Sequence, residues 1–159
     1  MVRLSLPLLD EAKLVRSILF RVIGIFEIAG GLYGVAQMLH RLLPLGNTND
    51  TILALVGLLL YAFILIAGVL LLEGDGRGVT FSSWAQILQI PLIATPVFSY
   101  ALHATAFINV FATVQSSPRL SVDWHFGSQG FVLALAGPAV SRIGLNLLAL
   151  LSWLVLRLR

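Results

Sequence analysis

The chain has 159 residues, of which 58% are hydrophobic and 11% charged, with a mean hydropathy of +0.97 and a formal net charge of +3. Soluble globular proteins carry about 25% charged residues. This composition therefore argues against a water-soluble fold and indicates that lipid is the solvent for most of the surface. The ten Lys and Arg residues form no basic cluster, which excludes a nucleic-acid footprint, and the absence of cysteine excludes disulfides.

Four hydrophobic segments, each near the length of about 20 residues that crosses a bilayer, predict transmembrane helices. Their approximate ranges are 17–39, 51–72, 84–110 and 139–156. We therefore predict an all-α integral membrane protein, an antiparallel four-helix bundle forming a single membrane domain. Lys and Arg near the segment ends favour one side, so we expect cytoplasmic N- and C-termini in a bacterial inner membrane.

The connection at 113–138 differs in composition from the helices around it. RLSVDWHF alternates apolar and polar residues with a period of two, which predicts a β-strand. GSQG is a turn signal and FVLALA a return strand, giving a short β-hairpin outside the membrane. The alternative is that GFVLALAGPAV forms a re-entrant segment or the beginning of the fourth helix.

The first segment carries a glutamate inside a glycine-rich run, GIFEIAGGLYG. Gly24, Glu27, Gly31 and Gly34 recur every three or four residues, so on a helix they share one face. Small residues at this spacing let a second helix approach closely. Glu27 lies near the middle of the first predicted transmembrane helix, and a charge in the middle of a bilayer costs about 3 kcal/mol or more. Glu27 therefore has to be neutral, paired or hydrated.

Residues at the depth of Glu27 on the other predicted helices are Tyr61, Thr95 and Asn146. All three can hydrogen-bond a carboxyl group, and we predict a polar cluster in the middle of the membrane. Arg142, one helical turn from Asn146, reaches this cluster only by pointing inward. Three roles stay open for Glu27: locking helix packing, binding a ligand or a proton, and docking a partner helix.

The third segment carries Thr95, Ser99 and His103 at intervals of four residues, interrupted by Pro91 and Pro96. A kinked polar helix of this kind can line a cleft, whereas ordinary bent packing explains the same pattern without one.

The sequence contains neither GxSxG nor HExxH, so we assign no catalytic residue and no cofactor. Asp123 and His125 lack a clear third ligand, so we predict no metal site. The favoured function is a non-enzymatic accessory or structural membrane protein that binds a membrane partner, its own copies or lipid. The first alternative is a subunit of a small transporter or channel built around Glu27, and the second is an intramembrane enzyme acting on lipid.

Overall fold

The computed structural model describes residues 6–43, 48–114, 119–126, 130–135 and 137–158. The described chain forms four helices and one six-stranded sheet. In chain order the elements are α1 (Leu6–Leu42), α2 (Thr48–Glu73), α3 (Gly76–Gln89), β1 (Pro91–Ala94), β2 (Ser99–His103), β3 (Ala106–Val114), β4 (Arg119–Phe126), β5 (Gly130–Ala134), β6 (Ser141–Asn146) and α4 (Leu147–Arg157).

The predicted all-α four-helix transmembrane bundle is therefore wrong. Only two helices of the described chain are long and apolar enough to cross a membrane, Lys13–Leu42 and Thr48–Glu73, with mean hydropathies of 1.7 and 2.9. The buried core helix of a soluble protein and a signal sequence can have the same length and apolar composition. Most of the described residues between Pro91 and Asn146 form antiparallel strands.

The helices α1 and α2 form the predicted antiparallel pair. α1 begins earlier than predicted, and its 37 residues extend about 56 Å at 1.5 Å per residue. Gly24 lies against Leu72, Gly31 against Leu65, and Gly34 against the ring of Tyr61. The glycine face of α1 is therefore the face that α2 covers.

The predicted third helix, 84–110, is wrong because the chain leaves the helical conformation after residue 90. α3 begins after Asp75, whose carboxylate caps the helix by accepting a hydrogen bond from the backbone N–H of Arg77. It ends at Gln89, shortly before Pro91. Proline lacks the N–H that a helix interior needs, and its ring clashes with the preceding turn, so the helix cannot continue past Ile90, which still has helical backbone angles. Thr95, Ser99 and His103 consequently lie in a turn and a strand.

The predicted fourth helix, 139–156, is wrong in its first half, which forms a strand. Ser141–Asn146 forms β6, which pairs with β1 on one side and β3 on the other. Asn146 then starts α4, because its Oδ1 accepts hydrogen bonds from the backbone N–H groups of Leu148 and Ala149 at 3.1 and 3.3 Å. The 11 residues of α4 extend about 16 Å, which is too short to cross a bilayer.

The six strands lie in the order β4-β3-β6-β1-β2-β5, and every neighbouring pair is antiparallel. RLSVDWHF and the first residues of FVLALA are both strands, β4 and β5. They do not form a hairpin with each other, because β4 pairs with β3 and β5 pairs with β2 at opposite edges of the sheet. Three residues of the predicted turn, 127–129, lie outside the described residues.

The sheet is strongly curled. β2 ends at His103 and β3 begins at Ala106, although β6 and β1 lie between these two strands. Three strand spacings measure about 14 Å in a flat sheet, which exceeds the reach of about 11 Å for so short a connection. The side chains of His103 and Asn109 indeed meet at 3.0 Å across the two intervening strands. We call the concave side that carries them the inner face and the convex side the outer face.

The register assigns the strand residues to these two faces. In the half formed by β3, β4 and β6, the inner face carries the charged residues and histidine, and the outer face carries mostly aliphatic residues and Trp124. At the other end of the sheet, Leu102 and Phe131 of the outer face pack on the helices. They share a buried core with Met38, Tyr61 and Ile64. The sheet is thus fixed to the helix pair by one end of its convex side.

Candidate functional site

The carboxyl group of Glu27 is buried and hydrogen-bonded through both oxygens. Ser82 Oγ donates to Oε2 at 2.6 Å, and Gln86 Nε2 donates to Oε1 at 2.8 Å. Only 2% of Glu27 is exposed. Burying an ionised or polar group is costly unless its hydrogen bonds are replaced, and here two donors from α3 replace them. The three side chains join α1 to α3.

The donors stand on one face of α3. Ser82, Gln86 and Gln89 recur at intervals of four and three residues, and all three are buried. Ser82 Oγ also lies 3.3 Å from the backbone carbonyl of Ala67 on α2. Gln89 accepts a hydrogen bond from the backbone N–H of Ala104 through Oε1 and donates to the carbonyl of Ala85 through Nε2. This face of α3 therefore connects both long helices to the connection between β2 and β3.

A small cleft lies beside this hydrogen-bonded group. Its volume is about 30 Å³, and a single water needs about 10–15 Å³ measured in this way. The cleft therefore accommodates one or two waters and is too small for an organic substrate. Its polar lining consists of Glu27, Gln86, Gln89, Thr105, Asn146 and Ser152.

Of the residues predicted to cluster with Glu27, the structure brings Asn146 to the same cleft and places Tyr61 and Thr95 elsewhere. Tyr61 donates its hydroxyl to the backbone carbonyl of His103 at 3.0 Å, which ties α2 to the end of β2. Thr95 closes the turn between β1 and β2 by bonding both the N–H and the carbonyl of Phe98.

The remaining predicted residues lie in the sheet. Ser99 and His103 are buried at the two ends of β2. Arg142 is exposed near the start of β6, opposite Thr113. Because β6 is a strand, Arg142 is about 13 Å from Asn146 along the chain instead of one helical turn away. The predicted cluster required a helix at each of these positions, but Thr95 lies in a turn and Arg142 and Asn146 lie in β6.

A second polar group occupies the inner face of the sheet. The ring of His103 lies against Phe107, with centroids 4.2 Å apart, and its Nε2 lies 3.0 Å from the amide nitrogen of Asn109. Burial lowers the pKa of His103, while Asn109 and the charge of Asp123 oppose the shift. Oδ1 of Asn109 is buried without a hydrogen-bond partner in the described structure. The neutral imidazole is therefore the form that this environment favours.

Two donors to Glu27 were not part of the predicted cluster. Ser82 falls outside the predicted third helix, 84–110, and Gln86 lies inside it near the end that precedes Thr95. The spacing of Ser82, Gln86 and Gln89 would have marked one polar helix face, had α3 been predicted to begin at Gly76. Among the described residues no group of three His, Asp or Glu side chains is placed to hold a metal ion.

Comparison with protein-family models, characterised proteins and solved structures gives no match for this chain. The site is therefore interpreted from its own chemistry. A carboxyl group that accepts a hydrogen bond on each oxygen can hold helices together. Because it also lines a cleft with room for one or two waters, it can exchange a proton with water that enters the cleft.

Proposed function

We propose that this protein is a non-enzymatic integral membrane protein that acts by binding another membrane component. In this proposal α1 and α2 cross the bilayer, and the curled sheet fixed to them provides the binding surface. The observation that carries the proposal is the closed state of its polar centre: both oxygens of Glu27 are bonded within the protein, and the adjoining cleft holds no more than one or two waters. A group with this geometry stabilises packing and leaves no room for a substrate.

The lengths of the uncharged helix segments support the placement in a bilayer. Residues 51–72 of α2 contain no charged residue, and 22 residues rise about 33 Å. Glu27, which is buried, is the one charged residue among residues 22–39 of α1, and these 18 residues rise about 27 Å. Both values match the hydrocarbon thickness of about 30 Å.

The exposed side chains of the two helices support the same placement. Large apolar residues point outward along α1 and α2, among them Ile25, Leu32, Leu59 and Ile66. Exposed apolar patches this extensive are rare on soluble monomers. At one end of the pair, Lys13, Arg16 and Arg21 surround a cleft beside Glu73. We place this cationic end on the cytoplasmic side of a bacterial inner membrane.

The sheet supports the binding role. Its outer face is apolar where it leaves the helices, with Ile108, Val122, Trp124, Ile143 and Leu145 all exposed. The charged residues of the same strands, such as Arg119 and Arg142, are on the inner face. A contiguous apolar face of this kind is typical of a surface that contacts lipid or another protein.

The first experiment asks whether the protein resists extraction of membranes by alkaline carbonate and what it carries after purification in mild detergent. We expect membrane retention and a stoichiometric protein or lipid that is lost in Val122→Ser. Val97→Ser is the matched control, because Val97 is exposed on the turn between β1 and β2. Release by carbonate would overturn the membrane placement, and equal retention of the bound component by both variants would overturn the role of the sheet.

A second candidate function follows from the cleft beside Glu27. A carboxyl group in contact with one or two waters can relay a proton, which would make the protein a subunit of a small transporter or channel. Proton flux into vesicles that contain the purified protein tests this candidate. Flux that disappears in a folded Glu27→Gln variant would favour it over the binding role.

A further inference from the structure

We propose that two copies of this protein pair through residues 119–123 at the outer edge of β4, which continues the sheet from one molecule into the other. This inference goes beyond the proposed function and does not depend on it. β4 is the terminal strand of the sheet, and β3 is the strand that pairs with it in the described structure. A terminal strand presents unpaired backbone N–H and C=O groups that a strand of another chain can bond.

The edge is accessible on both faces. Every residue from Arg119 to His125 is exposed, and the strand spans eight residues. Covered or very short edges are the usual protection against pairing with another strand. In the described structure β4 is neither covered nor short, but its inner-face charges, Arg119 and Asp123, are a third form of protection. Pairing therefore requires a register in which these charges meet opposite charges.

The sequence of β4 is self-complementary when two copies meet antiparallel about a two-fold axis at Ser121. In that register Arg119 of each copy is opposite Asp123 of the other, so two ion pairs form on the inner face. Leu120 is opposite Val122 twice on the outer face, and the two Ser121 residues are opposite each other. Opposite charges and apolar side chains facing each other across strands both stabilise antiparallel pairing.

The neighbouring registers are less favourable. An axis at Asp123 would place the two Asp123 carboxylates opposite each other, which is destabilising. An axis at Val122 would place Arg119 opposite His125 and would lose both ion pairs. Charge complementarity therefore selects the axis at Ser121, and the second copy is the occupant that this pattern fits.

Disulfide cross-linking tests the pairing directly, because the chain contains no cysteine of its own. Directly opposite residues have Cβ atoms about 5 Å apart, close to the separation that a disulfide needs. We expect Ser121→Cys to form an oxidised dimer several-fold faster than the control Val97→Cys, which is 75% exposed on a turn away from β4. Equal rates for the two variants would overturn the interface.

Exchanging the charges of Arg119 and Asp123 in the Ser121→Cys variant tests the register of the two strands. Adding Arg119→Asp to Ser121→Cys should slow the cross-link, and adding Asp123→Arg as well should restore it. Failure of the double exchange to restore the rate, or faster cross-linking at Val122→Cys or Trp124→Cys than at Ser121→Cys, would overturn the axis at Ser121. Each variant is compared by elution volume before oxidation, so that misfolded protein is not scored.

Discussion

Ser82 Oγ donates a hydrogen bond of 2.6 Å to Oε2 of Glu27, and this bond joins α3 to α1 through two residues that are 55 positions apart in sequence. Glu27 alone would be an expensive residue in the middle of an apolar helix. With Ser82 and Gln86 as donors, it becomes the point at which α3 is held against α1. The contribution of these hydrogen bonds to the free energy of unfolding can therefore be measured by substituting the donor side chains.

Ser82→Ala removes the shorter of the two bonds and leaves one carboxyl oxygen of Glu27 without that donor. We expect the free energy of unfolding to fall by about 1–3 kcal/mol, as for other hydrogen bonds to buried polar or charged groups. Denaturant titration in detergent micelles measures it. Ser83→Ala is the matched control, since Ser83 Oγ donates only to the carbonyl of Val79 within α3. Equal losses in the two variants would show that the bond to Glu27 adds nothing.

Gly31→Ala tests the close contact between α1 and α2. A Cβ atom at Gly31 would lie 2.8 Å from backbone atoms of Leu65, which cannot move without shifting α2. Overpacking of this kind costs about 1–3 kcal/mol, and we expect a corresponding loss in the same denaturant titration. Gly76→Ala is the control, because no heavy atom lies within 4 Å of a Cβ added at Gly76. An unchanged Gly31→Ala variant would mean that the helices are farther apart than described.

Tyr61→Phe removes the hydroxyl that donates to the carbonyl of His103 and leaves the buried ring in place. We expect a loss of about 0.5–1.5 kcal/mol in the free energy of unfolding. Cleavage at the β2–β3 connection under limited proteolysis should also become faster, because this bond holds the end of β2 on α2. Tyr33→Phe, whose hydroxyl is at the exposed surface and accepts from Gln37, should change neither quantity. A proteolysis rate unaffected by Tyr61→Phe would contradict the anchoring role.

The stability of the protein should depend on pH through His103. Burial lowers the pKa of His103 below its ordinary value of 6.5, so the unfolded chain binds a proton at a higher pH than the folded one. Stability therefore rises with pH in the interval between the two pKa values. We expect the contribution of His103 to the free energy of unfolding to be fully present above about pH 6.5 and to be lost on acidification below it.

His103→Gln carries no titrating group at this position and should flatten that part of the pH profile. The comparison is made between the slopes of the two proteins, so that a uniform loss of stability in the variant does not affect the result. Equal slopes for the wild-type protein and the variant would show that His103 is not the group responsible.

The two long helices could be read from the chain because their signals are local. The hydrophobic runs are long and uninterrupted, and the spacing of Gly24, Gly31 and Gly34 defines one face of α1 whatever lies against it. The alternation in RLSVDWHF is a local strand signal of the same kind. Which strand lies beside it was not local information, and the predicted hairpin was wrong for that reason.

The rest of the candidate site was placed wrongly because residues 90–110 and 139–146 were predicted to be helical. Apolar runs of this length suit a buried strand as well as a helix, and the choice between them was made by pairing with strands distant in sequence. The polar partners of Glu27 come from α3, and Tyr61 bonds to a strand. Depth counting along helices could not have found either contact.

The sequence by itself determined the apolar composition, the presence of the two long helices α1 and α2 and the glycine face of α1, since each depends on residues close together in the chain. Only the tertiary structure decided that the second half is a curled sheet and that Ser82 and Gln86 are the donors to Glu27. It also decided that β4 is a terminal strand of the sheet in the described structure. These features depend on backbone hydrogen bonds and side-chain contacts between distant segments, whose energies are set by the partner as much as by the residue itself.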